Sequence, residues 1–447
     1  MPPKLALLIC FCFIGWLFAR DQKLRPMASW SLWIVLVWFF VIGSREVSVW
    51  FGGGVQIERP QDYLQGSPLD RNILLLLIAV GFVVLLRRRL RWDRVLDSNR
   101  WFFAFFLYCA ISVTWSDYPF VSFKRWIKEL GNVVMILIIL TESEPAQAFR
   151  AVLARFAYLV IPLSVVFIKY FPTLGRYYNR WTWEYAYGGV TTSKNELGCI
   201  MVVCGLLLIW DLIQIRSADN LKTDKTDLIN RFVLLLMMVW LVDKARSSTS
   251  TASLILGIGL LLSMQLPFAR RQVRYLGTYS LLTGFLILVL LYSVPGIFDA
   301  VVGIFGRDAT LTGRTDMWKD LLKEPINSVI GTGYHSFWLG PGAERMWEKY
   351  YFHPTQAHNG YLETYLNGGL VGLFLLVAMI VSTARRVKKE VLWGDRFGML
   401  LFSFLVVIVF NNGMEATLGG VNVFWFILLI AALYYPFSPN SANKTSF

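Results

Sequence analysis

The chain has only three histidines, and His335, His353 and His358 all fall between residues 295 and 359, a stretch that also carries Arg307, Arg314, Arg345 and several aromatics. Imidazole has the ordinary pKa closest to neutrality, so it can take a proton from a hydroxyl. A guanidinium holds phosphate oxygens through paired N–H donors. Side by side, the two types suit chemistry on a phosphorylated donor with a hydroxyl as attacking group.

The sharpest segment is His-Pro-Thr-Gln-Ala-His-Asn-Gly-Tyr-Leu-Glu-Thr-Tyr at 353–365, which runs straight into an apolar stretch. A helix starting near Ala357 would put His358 and Leu362 on one face and Asn359 and Glu363 on an adjacent one. His358 then stands at the mouth of the apolar helix as a candidate general base, with Asn359 placed to orient the ring or a ligand. The plain alternative is an interfacial histidine touching lipid headgroups. Glu363 and Glu415 are the competing carboxylate bases.

Upstream, Leu-Thr-Gly-Arg-Thr-Asp-Met-Trp at 311–318 begins a short helix that Thr312 or Thr315 can cap, with Trp318, Leu321 and Leu322 apolar before Pro325. Arg314 then lies at a helix N-terminus, where free N–H groups and the dipole favour an anion; pairing with a carboxylate or a lipid headgroup is the alternative. Ile-Gly-Thr-Gly-Tyr-His-Ser-Phe at 330–337 allows a tight turn or a close backbone approach to a ligand, with His335 packing or hydrogen-bonding locally. Lys194 and Asn195 in 189–198, Arg246 in 245–252 and Arg180 within the Tyr/Trp/Arg-rich segment 171–195 add candidate ligands for a lipid pyrophosphate.

These residues need a frame, and composition indicates which. The 447 residues are 56% hydrophobic with 18 Trp, 19 Tyr and 33 Phe, and the mean hydropathy is +0.53. Long apolar runs recur at the length of a membrane-crossing helix, and they do not alternate as barrel strands do. We expect an all-α polytopic membrane protein with about 12–13 spans, starting near Leu5, Leu32, Asn72, Trp101, Lys124, Ala151, Glu196, Arg231, Ala252, Leu276, Gly360, Phe397 and Val421. The positive charges at Arg20, Lys23 and Arg25 follow the first run, so it reads as a retained span with its N-terminus outside.

Alternate connections then fall inside: residues 20–25, 87–100, 142–150, 216–231, 270–274 and 385–396, among them the densest Lys/Arg clusters. The long connection 295–359 lies outside. The expected division is an N-terminal bundle over 1–294, the large outer loop over 295–359, C-terminal spans over 360–435 and a cytoplasmic tail over 436–447.

The formal charge of +14 is scattered over short loops, so no surface is offered to nucleic acid. Cys10, Cys12, Cys109, Cys199 and Cys204 sit inside spans without disulfide or zinc spacing, and no metal or cofactor is expected. Arg155, near a span's inner end, reads as a snorkelling side chain. A flippase or transporter would show inverted repeats and polar, broken helices at the midplane, whereas span centres here are mostly apolar. A purely structural membrane subunit has no use for the histidine-bearing loop.

The motifs at 311–318, 331–334, 358–363 with the following Gly-Gly-Leu-Val-Gly at 368–372, 193–198, 246–249 and Thr-Trp-Ser-Asp-Tyr-Pro at 114–119, in this order, resemble the O-antigen ligase and polymerase family, which includes exopolysaccharide polymerases of the succinoglycan type. The chain reads Lys-Ala-Arg at 244–246 where many members carry Ser-x-Ser-Arg. The resemblance implies a membrane-embedded glycosyltransferase of C-like type, with a large periplasmic loop and without metal or nucleotide sugar. It implies an undecaprenyl-pyrophosphate-linked glycan as donor, and an acceptor glycan or lipid A-core whose hydroxyl attacks the anomeric carbon. It places His358 as base and Arg246 and Arg314 on the pyrophosphate, with Lys194 and Asn195 matching a Lys-Asn motif. A chain-length regulator is an expected partner. Polymerase is the favoured reading and ligase the next.

Overall fold

The computed structural model describes residues 1–24, 29–53, 66–88, 90–178, 184–217, 225–275, 277 and 314–435. About three-quarters of them are helical. The bundle is built from α1 (Pro3–Leu24), α2 (Ser31–Ile42), α3 (Pro68–Arg87), α4 (Arg100–Ser112), α5 (Pro119–Leu140), α6 (Pro145–Tyr170), α7 (Lys194–Ser217), α8 (Lys225–Ala245) and α9 (Ser248–Ser263). After the outer-loop helices α10 (Arg314–Leu321) and α11 (Pro341–Lys349) come α12 (Gly360–Leu392), α13 (Arg396–Asn411) and α14 (Val423–Ala432). Each expected span start falls in one of these helices or within two residues of it, except that near Leu276, which lies outside the described residues. Five of the described helices are long and apolar enough to cross a membrane, and a bent pair, Ser248–Ser263 with Pro267–Tyr275 at 108°, makes a sixth candidate. This is an all-α integral membrane protein.

Local sequence explains the boundaries. Proline opens α3, α5 and α6, where its missing N–H costs nothing. Side-chain caps fix other starts: Ser67 on Asp70 N–H, Asp395 on Gly398 N–H and Asn422 on Trp425 N–H. Consecutive helices run antiparallel. The bundle therefore has two ends: one where α7 and α12 begin and α13 stops, called here the site end, and a far end where α1 stops and α2 begins.

The centre of the bundle is dry and tightly packed around α6, α7, α13 and α14, whose Phe149, Phe156, Met201, Phe404, Trp425 and Phe426 are fully buried. Polar groups nonetheless enter it. Glu129 and Asn132 on α5 are buried mid-helix, so that helix's interior is less apolar than its hydropathy suggests. Arg155 does not snorkel: it is 2% exposed and its Nε donates to Asp21 at 2.8 Å. An intramembrane guanidinium is costly unless paired, and α1 supplies the carboxylate that α6 needs.

The outer segment folds on a small core of its own, formed by Met317, Leu321, Phe337, Trp338, Ala343, Met346, Ala357 and Leu366. Leu322, expected on the apolar face of α10, is 62% exposed, because α10 ends at Leu321. The Gly-Thr-Gly turn does make a close approach, but to backbone: a Cβ on Gly331 would lie 2.5 Å from the Asn367 carbonyl. Helix α12 is broken at Gly369 (φ +60°, ψ −162°). The turn repairs that break. Thr332 and Gly333 N–H donate to the Leu366 and Asn367 carbonyls, while Leu370 and Val371 N–H donate to Ser328 and Val329. Broken backbone at membrane depth persists where such partners exist, and this pairing pins the outer segment to the spans.

Candidate functional site

At the site end, four connections converge. Helix α12 begins at Gly360, at the expected span start and three residues after Ala357, because Asn359 is its cap: Asn359 Oδ1 accepts from Tyr361 and Leu362 N–H at 3.0 and 3.1 Å, and its Nδ2 donates to the Gly413 carbonyl. His358 is therefore outside the helix, in left-handed backbone with φ +50°. Among the described residues, the non-glycine positions with such backbone are His335, His353, His358 and Arg246. They include all three of the chain's histidines, among them the candidate base His358, and Arg246, one of the arginines that sequence alone marked as a ligand for phosphate. Strained positions of this kind persist where surrounding structure holds them, and they gather at functional sites.

Glu415, in the connection between α13 and α14, is the hub. His358 Nδ1 lies 3.3 Å from its Oε2. Arg314 Nη2 and Asn195 Nδ2 donate to its Oε1 at 3.1 and 2.9 Å, and Arg314 Nη1 also donates to the Met414 carbonyl. Burial by itself would raise the Glu415 pKa, but the hydrogen bond from His358 and the positive charge of Arg314 outweigh it and hold the carboxyl below its ordinary range. A proton on His358 Nδ1 can be donated to the ionised Glu415 Oε2, and Nε2 is then the ring nitrogen left to accept. The geometry follows the base-and-orienter logic of catalytic triads.

Arg314 opens α10 as expected, but its guanidinium is buried and turned onto Glu415. Arg246 differs. It closes the turn between α8 and α9, is exposed, and among the described residues its side chain has no hydrogen-bond or ion-pair partner. The next residue, Ser247, caps α9 and packs on Gly198 of α7, one turn along from Asn195. Lys194 starts α7, with its N–H donating to the Tyr177 hydroxyl at 2.9 Å from a small hairpin of Arg176–Tyr178 and Tyr185–Tyr187. Arg180 lies outside the described residues.

Glu363 is not free to serve as a base. Trp338 Nε1 and Ala357 N–H both donate to its Oε2 at 2.9 Å, and Asn367 Nδ2 reaches Oε1 at 3.1 Å. It ties α12 to the outer segment. His353 stacks on Trp347, with centroids 4.5 Å apart and planes at 2°. The half-buried His335 has its pKa pushed down to about 3 by burial and by Arg125, whose Nη1 donates to the His335 carbonyl at 2.9 Å.

Beside this cluster opens a cavity of about 200 Å³, lined by Arg125, His335, Trp338, Trp347, Gln356 and Glu363 among others. Sequence reading missed Arg125, Trp338 and Glu129. The available signal was their setting, since a carboxylate and a guanidinium within an apolar span mark a functional region.

A family profile described as O-antigen ligase matches residues 232–377, the stretch that holds Arg246, Arg314 and His358. The exopolysaccharide production protein ExoQ of Rhizobium meliloti (strain 1021) is 28% identical over 312 residues, covering 67% of this chain and 67% of that protein.

Proposed function

We propose that this chain, which matches an O-antigen ligase family profile over residues 232–377 and is 28% identical to an exopolysaccharide production protein, joins glycan units carried on undecaprenyl pyrophosphate at the periplasmic face of the inner membrane. The observation that carries this is the chain of contacts from His358 through Glu415 to Arg314. A sugar hydroxyl is a poor nucleophile near neutral pH. His358 Nε2 takes its proton as the hydroxyl oxygen attacks the anomeric carbon, and the imidazolium that forms is stabilised by Glu415. The bond from the anomeric carbon to the pyrophosphate oxygen breaks with its electron pair on that oxygen.

Developing charge on the leaving group needs cations that are not already neutralised. The exposed Arg246 is the first such group, and Arg314, partly offset by Glu415, adds to it. Lys194 lies on the same rim, and Asn195 holds Glu415 in place. The far end carries the Lys/Arg-rich connections, so the positive-inside rule assigns it to the cytoplasm and the site end to the periplasm.

Polymerisation is the favoured reaction because the curated relative is an exopolysaccharide production protein. Transfer to lipid A-core is the second reading, favoured by the ligase profile. Proteoliposomes loaded with lipid-linked repeat units test this directly. Covalent chain growth supports a polymerase, growth only when lipid A-core is added supports a ligase, and translocation without new bonds would make the protein a transporter and defeat the proposal.

A further inference from the structure

We propose that the cavity beside His358 is a subsite for one sugar ring, the ring whose hydroxyl attacks; this rests on the glycan-transfer reading above. Its position ties it to the reacting groups. Gln356 in its lining is two residues before His358, and Ala416, also in its lining, follows Glu415. At about 200 Å³, below the ~300–1,000 Å³ of typical small-molecule sites, it is of a size for a single monosaccharide unit.

The lining has the chemistry of a pyranose, which presents apolar C–H faces and a rim of hydroxyls. Trp347 supplies an aromatic face whose electron-rich surface suits C–H groups, and it is rigid: its Nε1 donates to the Pro354 carbonyl at 2.7 Å and its ring is stacked on His353. Gln356, Thr355 and Arg125 supply donors and acceptors around it. Beneath lies a second cavity of about 50 Å³, which shares His335, Glu363, Leu418 and Gly419 with the first. Glu129 Oε2 and the Tyr334 hydroxyl line this floor, are buried, and have no hydrogen-bond partner among the described residues. Buried polar atoms are normally satisfied. A space this size holds water, so these two groups can reach the hydroxyls of a ring above through bridging water.

The test is saturation-transfer NMR on the protein in lipid nanodiscs, with the methyl glycosides of glucose, galactose and glucuronic acid as probes. At least one probe is expected to show transfer, and Trp347→Ala and Gln356→Ala are expected to remove most of it. Trp347→Phe should retain it, which separates lost stacking from lost folding. Tyr334→Phe removes a hydroxyl without a partner among the described residues and should weaken binding about 2–10-fold with an unchanged thermal midpoint. His358→Gln should bind the probe as wild type does while losing turnover, so that failure of the catalytic reading and failure of the subsite show separately. No transfer from any of the three probes, or equal transfer in wild type and Trp347→Ala, would overturn the subsite.

Discussion

The two ends of the helix bundle treat charge in opposite ways. At the far end, arginines are matched to carboxylates on neighbouring helices: Arg155 with Asp21 at 2.8 Å, Arg150 and Arg231 on Asp211 at 2.6 and 3.5 Å, Arg20 with Asp227 and Arg88 with Glu142. Each pair joins two different segments of the bundle, and all but Arg231 with Asp211 join segments more than 50 residues apart. At the site end, one carboxylate, Glu415, serves a histidine, an arginine and an asparagine at once, Arg246 stands exposed, and four residues hold left-handed backbone. The lesson is that the far end uses its charge between helices, whereas the site end leaves Arg246 exposed and gathers a histidine, an arginine and an asparagine on one carboxylate, as the proposed ligand-binding role requires.

If this contrast is right, substitutions at the two ends separate activity from stability. The largest effect is expected for His358→Gln, which keeps hydrogen bonding but cannot accept a proton at neutral pH. It should lower turnover by roughly 10²–10⁴-fold with unchanged membrane abundance, measured as polymer formed in vitro per unit of protein. Near wild-type polymer would move the base to Glu415.

At the far end the sign of the experiment reverses. Asp21→Ala leaves Arg155 buried and uncompensated, a loss of ~3–5 kcal/mol, seen as a large fall in the thermal midpoint of the nanodisc-embedded protein. Turnover per folded molecule should stay at the wild-type value; a specific loss of turnover would blur the division between the ends.

Arg246→Ala should lower affinity for the lipid pyrophosphate about 10–100-fold, as removal of charge-assisted hydrogen bonds does, yet shift stability by less than ~0.5 kcal/mol because the side chain is exposed. Arg246→Lys should retain part of the binding. Unchanged affinity in the alanine variant would remove Arg246 from the donor site.

The smallest expected effect is a pH dependence from His335. Its folded pKa of about 3 lies below the ordinary ~6.5, so between those values the unfolded chain binds the extra proton. Stability from this group is therefore complete above the ordinary value and is lost as pH falls from there toward 3. Comparing thermal midpoints across that window, His335→Gln should show a shallower acid decline than wild type; equal slopes would count against burial of a neutral imidazole.

Much of the fold was legible in the sequence because a membrane allows few solutions. Apolar runs of spanning length must be helices, and the placement of basic loops orders them into two ends. Motif types and spacing likewise marked His358, Arg314, Asn195 and Arg246 before any coordinate was known. What tertiary structure decided was how these residues are used. Asn359 became a helix cap, its side chain held between the first turn of α12 and the Gly413 carbonyl. Arg314 turned inward because Glu415, a hundred residues away, arrives beside it between α13 and α14. Arg155 was buried because α1 brings Asp21 to it, and the Gly-Thr-Gly turn met the break at Gly369. Each outcome depends on a partner distant in the chain, and a one-dimensional pattern carries the chemistry of a residue but not the identity of the group that chain folding sets against it.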